Sequence, residues 1–155
     1  MIYRCFVKRL LDILLSGLAL IILSPVYLVL AILIRMKLGS PVIFKQERVG
    51  LHNRNFCMYK FRSMVVQDEE SEKKGWSVKN DPRVTPVGKF IRKTSVDELP
   101  QLLNVLKGDM SLVGPRPPLP MEVEDYTPYD KLRLTVTPGC TGLWQVTKRN
   151  DADFD

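Results

Sequence analysis

The chain of 155 residues is poor in cysteine and nearly devoid of histidine, and both shortages narrow what it can be. Cys5, Cys57 and Cys140 are odd in number and widely spaced, with no Cys-x-x-Cys pair, which argues against a disulfide framework and against a cysteine-built zinc site. The soluble part therefore belongs in a reducing compartment. His52 has no cysteine or second histidine near it and reads as a loop or surface histidine, not a metal ligand. No internal repeat or domain linker interrupts the sequence. A cleaved signal peptide does not fit, because the apolar run is too long and no small-residue cleavage pattern follows it. The length suits one domain, or one domain plus a membrane element, with enough apolar content for a core.

Acidic residues are scarce in the first part of the chain. Residues 1–60 hold 9 Lys/Arg and 2 Asp/Glu, net +7, whereas residues 61–155 hold 14 and 15, net −1. The overall +6 is thus entirely N-terminal and brackets an apolar segment instead of striping a folded domain, so anionic lipid headgroups explain it better than nucleic acid. Charge of either sign is missing altogether from Ile13 to Ile34, 22 residues. At about 1.5 Å per residue such a stretch would span a bilayer core of roughly 30 Å, and a straight transmembrane helix is the default reading of hydropathy. Two features oppose it. Ser24-Pro25 falls near the midpoint, where proline removes a backbone hydrogen bond, and basic residues lie on both flanks (Arg4, Lys8, Arg9; Arg35, Lys37), which favours the same side for both ends. A re-entrant pair of half-helices turning at Ser24-Pro25, with the serine hydroxyl satisfying freed backbone groups, is the alternative. Asp12, one turn from Lys8 and next to Arg9 and the start of the apolar run, reads as an interfacial ion-pair partner.

Beyond Gly39-Ser40-Pro41, Val42 to Gln46 and Phe56 to Phe61 predict a β-hairpin, which would present Lys60 and the following Arg62 together. The alternative for both is a pair of solvated hairpin charges. Gln67 to Gly75 lacks an apolar face and reads as an exposed short helix or loop, and Asp81-Pro82-Arg83 as a turn. Thr85-Pro86 predicts an N-cap and first helical residue, with Val87, Phe90 and Ile91 inward and Lys89, Arg92 and Lys93 outward.

Ser95-Val96-Asp97-Glu98-Leu99-Pro100-Gln101 is where two adjacent carboxylates meet a helix-start signal. Ser95 and Glu98 fit a capping box, a reading that needs no catalysis. A helix starting there would run to Gly108 as a left-handed stop, with Pro100 either in its first turns or at its first position. Asp97 and Glu98 would lie at its N-terminus, where exposed N–H groups keep a carboxylate ionised and can hold a phosphate, so a nucleophile is the second reading. Arg116, set between Pro115 and Pro117-Pro118, is either part of a polyproline linker or a pre-ordered guanidinium for phosphate. Thr137 to Trp144 reads as a glycine-rich turn, a nonspecific ligand loop.

Taken together these stretches resemble the bacterial sugar transferase family, the monotopic polyprenyl-phosphate phosphoglycosyl transferases. The resemblance is carried by Lys8-Arg9-Leu10-Leu11-Asp12, Ser24-Pro25, Tyr59-Lys60-Phe61-Arg62-Ser63-Met64, Asp81-Pro82-Arg83, Ser95 to Gln101, Gly108-Asp109-Met110-Ser111, Val113 to Pro117 and Pro138 to Val146, in family order. It implies an α+β, mainly helical protein of the bacterial inner membrane, with residues 1–38 as a re-entrant helix broken at Ser24 and Pro25 and residues 39–155 as a cytoplasmic catalytic domain. It further implies transfer of a sugar-1-phosphate from a UDP-sugar to polyprenyl (undecaprenyl) phosphate with magnesium, initiating a polysaccharide or glycoconjugate pathway. On that resemblance Asp97 is the nucleophile and a metal ligand, Glu98 assists it, and Lys60, Arg62, Arg92 and Arg116 contact phosphate or substrate. Anionic lipid is an expected partner and nucleic acid is not. Where family members have a Gly-Arg-Asn-like stretch followed by a further helical segment, this sequence has Lys148-Arg149-Asn150 and ends at Asp155, so the catalytic domain is expected to be short for the family. The competing class is a non-catalytic membrane-anchored scaffold or degenerate transferase.

Overall fold

The structure, a computed structural model, describes residues 6–64 and 84–142. Cys5, Gln67 to Gly75, Asp81-Pro82-Arg83, Trp144 and Lys148-Arg149-Asn150 lie outside the described residues. Among the described residues the architecture is mixed helix and strand, with two small two-stranded sheets.

The charge-free stretch forms two helices, α1 (Lys8–Ile22) and α2 (Ser24–Lys37), bent by 61° at the break. Among the described residues no single helix is long and apolar enough to cross a membrane, which corrects the straight span. The cause is local. Pro25 has no N–H to continue the ladder, but it is accommodated in the first turn of α2, so it starts a helix instead of kinking one. Ser24 Oγ donates to the Ile21 carbonyl at 2.8 Å, occupying an acceptor at the end of α1, and Tyr27 N–H to Leu23 O at 3.0 Å resumes the ladder. Much of the aliphatic surface of both helices is exposed, Ile21, Ile22, Leu28 and Val29 included.

The hairpin forms from β1 (Ile43–Val49) and β2 (Asn55–Phe61), with β1 running three residues further than expected. A connection this short makes the pair antiparallel. His52 and Asn53 in the connection both take positive φ, and His52 is exposed, a loop histidine as read from the sequence.

Packing divides the chain into two units. One is built from stretches within Met1–Leu20, Glu47–Met58 and Gln101–Asp155, the other from stretches within Ile21–Gln46 and Tyr59–Pro100.

In the second unit Leu30, Ile34 and Leu38 of α2 and its end pack with Phe61 and with Ile91 of α3 (Pro86–Thr94). Thr85 caps α3 as expected, its Oγ1 accepting from Gly88 N–H at 3.1 Å. Gly88 faces the chain just after β2 so closely that a Cβ there would lie 1.9 Å from the Ser63 carbonyl oxygen. The buried stripe is therefore Val87, Gly88 and Ile91, and Phe90, expected inside, is 65% exposed because its helical position lies off that stripe. Lys89 and Lys93 face outward as expected, but Arg92 is half-buried.

In the first unit Met58, Val105 and Met110 form a smaller core, with Phe56, Leu112 and Cys140 against it. Helix α4 (Gln101–Lys107) stops at Gly108, whose φ of +99° is the left-handed conformation expected of it, and whose N–H reaches the Asn104 carbonyl at 3.1 Å. Asn104 is fully buried and donates to the Cys57 carbonyl at 2.7 Å. Residues expected to form a ligand turn instead supply β4 (Gly139–Thr141), parallel to β3 (Ser111–Val113), in register Ser111 with Gly139 and Val113 with Thr141. Glycine permits this: a Cβ on Gly139 would fall 2.0 Å from Gly114 N.

Asp12 does more in this unit than pair with Lys8 at 3.4 Å. It is buried, accepts from Ser111 Oγ at 2.7 Å and from Leu112 N–H at 3.1 Å, and thereby ties α1 to β3. Lys8 also donates to Ser111 Oγ, and Arg9 donates to the Leu106 carbonyl at 2.9 Å and to that of Val105. Two basic residues read as lipid-facing thus engage the protein itself, Arg9 at the carbonyl end of α4, where cations are favoured.

Candidate active site

Ser95 does not form the expected capping box. It closes α3 in the left-handed conformation (φ +60°), its N–H bonded to the Arg92 carbonyl at 3.1 Å and to that of Ile91, and its side chain caps nothing. The same residue leads into a 3₁₀ turn and not an α-helix, its carbonyl accepting from Glu98 N–H at 3.1 Å. The chain makes a 3₁₀ turn at Val96–Glu98, Pro100 is buried, and α4 begins only at Gln101. Asp97 and Glu98 therefore lie in a single 3₁₀ turn ahead of α4 and not in the first turn of an α-helix. Something else sets its electrostatics.

That is burial between cations. Asp97 is 9% exposed, and among the described residues its Oδ1 is the one buried side-chain polar atom without a hydrogen-bond partner. Burial pushes its carboxyl above the usual 3.8. Lys60 pulls it back most strongly, Glu98 pushes it up again, and Arg92 and its own backbone N–H pull it down to a lesser degree. Lys60 projects from β2 and pairs with Glu98 at 3.4 Å, both partners partly buried. Arg92 is turned inward by Ser63, whose Oγ accepts from its Nε at 2.9 Å, and by Met64 Sδ, 3.1 Å from Nη2. Structural support comes from Tyr27 of α2, whose hydroxyl donates to the Leu99 carbonyl at 2.6 Å and whose ring lies 5.5 Å from that of Phe61.

Four sequence candidates, Asp97, Glu98, Lys60 and Arg92, therefore meet in the second unit. Arg62 takes another place. It is 5% exposed, its Nη1 donates to the Ser40 carbonyl at 3.0 Å and its N–H to Val42 O at 2.9 Å, contacts that hold the strand carrying Lys60. Tyr27 and Ser63 were missed. The signal for Tyr27 was a single phenol hydroxyl in a charge-free run, which a purely lipid-facing helix does not require.

A buried carboxylate with an uncommitted oxygen and cations nearby can act as a nucleophile toward an electrophilic phosphorus or as a metal ligand. Among the described residues no three His, Cys, Asp or Glu side chains group as a metal site. Asp97 Oδ1, left without a partner, is the one protein oxygen of this donor set that a divalent cation could take, and substrate phosphates and water would have to supply the rest.

In the first unit Arg116 lines a cleft of about 720 Å³ together with Pro115, Pro117, Glu122, Tyr126 and Arg133. The segment is extended, as its prolines demand, and is tied at both ends: Gly139 N–H donates to Pro115 O at 2.9 Å and Arg48 Nη1 to Pro117 O at 3.1 Å.

Residues 3–155 match the family described as bacterial sugar transferase. The chain belongs to this family. It is 49% identical, over 97% of its length and 34% of the relative's, to the undecaprenyl-phosphate galactose phosphotransferase of Salmonella typhimurium. It is 50% identical to the galactosyl transferase CpsE of Streptococcus agalactiae, over 96% of this chain and 35% of that protein. The uncharacterized sugar transferase EpsL of Bacillus subtilis is 47% identical over 96% of this chain and 72% of its own length. The chain thus spans about a third of the first two relatives.

Proposed function

We propose that this bacterial sugar transferase moves a sugar-1-phosphate from a UDP-sugar to undecaprenyl phosphate through a covalent intermediate on Asp97. The observation that carries the reading is the buried Asp97 carboxylate with one oxygen unengaged and Lys60 and Arg92 acting on its charge. A desolvated carboxylate is a stronger nucleophile than a hydrated one, and the two cations oppose the upward push that burial gives its pKa. Its oxygen attacks the phosphorus that bears the sugar, the bond to the UMP oxygen breaks and UMP leaves. A phosphate oxygen of the acceptor then attacks the same phosphorus, Asp97 is released, and the product is a polyprenyl diphosphate sugar. Phosphoryl transfer depends chiefly on positioning and charge stabilisation, and Lys60 and Arg92 supply cations for both. Glu98 holds Lys60 in place. Arg116, on the cleft of the first unit, is read as a phosphate or substrate contact. A magnesium ion, when bound, would neutralise charge on the donor diphosphate.

The same reading places α1 and α2 as a re-entrant element in the inner membrane, entering and leaving by the cytoplasmic face, with residues 39–155 as the catalytic domain. The 61° bend and the basic residues on both flanks support it.

The test is to incubate the purified protein with magnesium and UDP-sugars radiolabelled in the sugar, omitting the acceptor. Labelled protein that releases its label on addition of undecaprenyl phosphate, and that Asp97→Asn cannot form, is the expected result. A folded preparation that takes up no label from any sugar of a broad panel would overturn the assignment of Asp97.

A further inference from the structure

Arg133 is exposed, lies in a short 3₁₀ stretch (Asp130–Thr135) and belongs to none of the motifs that carry the family resemblance, yet its guanidinium is committed on three sides. Nη1 donates to the Tyr126 hydroxyl at 3.0 Å, the guanidinium carbon lies 5.7 Å from the centre of the Tyr126 ring, and Nη2 donates to the main-chain carbonyl of Arg116 at 3.1 Å. Tyr126 is held in turn near the C-terminal end of α5 (Pro120–Glu124), where Glu122 accepts from Leu119 N–H at 2.7 Å and its own N–H reaches Val123 O at 3.2 Å. Arg116 therefore sits in a segment stiffened by prolines on either side and fixed at its own carbonyl by a second arginine.

We propose that Arg133 is a positioning residue: braced by Tyr126, it holds the Arg116 backbone so that the Arg116 guanidinium meets the donor's phosphate without first being ordered. The inference rests on the reading of Arg116 as a phosphate contact. Nothing about exposed charge alone would require it, since a solvated Arg133 needs neither a phenol beneath it nor a carbonyl in front of it. A planar guanidinium with its donors in a fixed fork satisfies both at once, which a lysine cannot. Loss of the brace leaves Arg116 chemically intact but entropically freer, so its effect falls on donor binding and not on the chemical step.

The experiment uses the full chain in lipid nanodiscs and compares wild type, Arg133→Gln, Arg133→Lys, Tyr126→Phe, Arg116→Ala and the Arg133→Gln/Arg116→Ala double variant. UDP affinity is measured by calorimetry, donor KM and kcat by turnover, and exchange of the Arg116 amide by mass spectrometry. Arg133→Gln is expected to weaken UDP binding and raise KM about tenfold with kcat nearly unchanged, and to speed exchange at Arg116. Arg133→Lys should recover little of this, Tyr126→Phe should fall between, and the double variant should bind no worse than Arg116→Ala alone, because the brace has lost what it holds. Additive losses, or faster exchange with unchanged KM, would make Arg133 merely a stabiliser of its turn and overturn the proposal. If wild type binds no UDP, or if Arg116→Ala binds it as well as wild type, the reading of Arg116 fails and the inference with it. An unaltered Arg133→Gln beside a defective Arg116→Ala would reject the brace alone.

Discussion

Asp97 carries a conflict between stability and chemistry that can be measured. Its folded pKa is raised, so the folded state holds the proton more readily than the unfolded one and ionisation disfavours the fold. That cost is complete above the folded pKa and disappears as pH falls below the unfolded value near 3.8. Asp97→Asn, inactive by the proposed mechanism, is therefore expected to melt a few degrees higher than wild type at pH 7, and the difference should close as pH approaches 4 in a thermal series. Lys60 is the strongest downward pull on this group and Arg92 a weaker one. Lys60→Met should accordingly move the acid limb of kcat/KM to higher pH, and Arg92→Gln should do so by less, read from pH–rate profiles of the two variants.

At the scale of elements, close backbone approaches decide what can be exchanged. Gly139→Ala puts a methyl group into Gly114 across the parallel β3–β4 pair, and unfolding in denaturant should reveal a loss of about 3 kcal/mol or more. The helix break makes a second prediction. Replacing Ser24 and Pro25 with Ala and Leu restores an N–H and should fuse α1 and α2 into one helix, favouring a full span. Cysteines at positions 6 and 40, in a background without Cys5, Cys57 and Cys140, report it. In the parent both should resist an impermeant thiol reagent in intact cells, and in the fused variant position 6 should react.

These elements also mark where sequence reasoning worked. Thr85-Pro86, Gly108, Ser24-Pro25 and the hairpin were legible because each is governed by residues within a few positions of one another. Asp97 is expected at the start of an α-helix, whereas Ser95 ends α3 and leads only into a 3₁₀ turn. What makes the site, burial beside Lys60 and Arg92, depends on residues brought from β2 and α3. Phe90 was misplaced because helical periodicity gives a stripe, and only the approach to Ser63 chooses its centre. The roles of Asp12, Tyr27 and Arg133 were hidden in partners 99, 72 and 17 residues away.

Over the whole molecule, the separation between Asp12 and Ser111 has a consequence for biosynthesis. The first helix leaves the ribosome with Lys8 already one turn from Asp12, while Ser111 follows 99 residues later, roughly 5–20 s at ordinary elongation rates. During that interval the carboxylate depends on a local ion pair alone as the apolar stretch meets the membrane. Lys8→Met should thus reduce membrane insertion of nascent chains arrested before residue 111, measured by crosslinking to lipid, while Ser111→Ala should not. The later arrival of β3 then acts as a latch, closing on α1 only after the 99 residues that lead from Asp12 to Ser111 have been made.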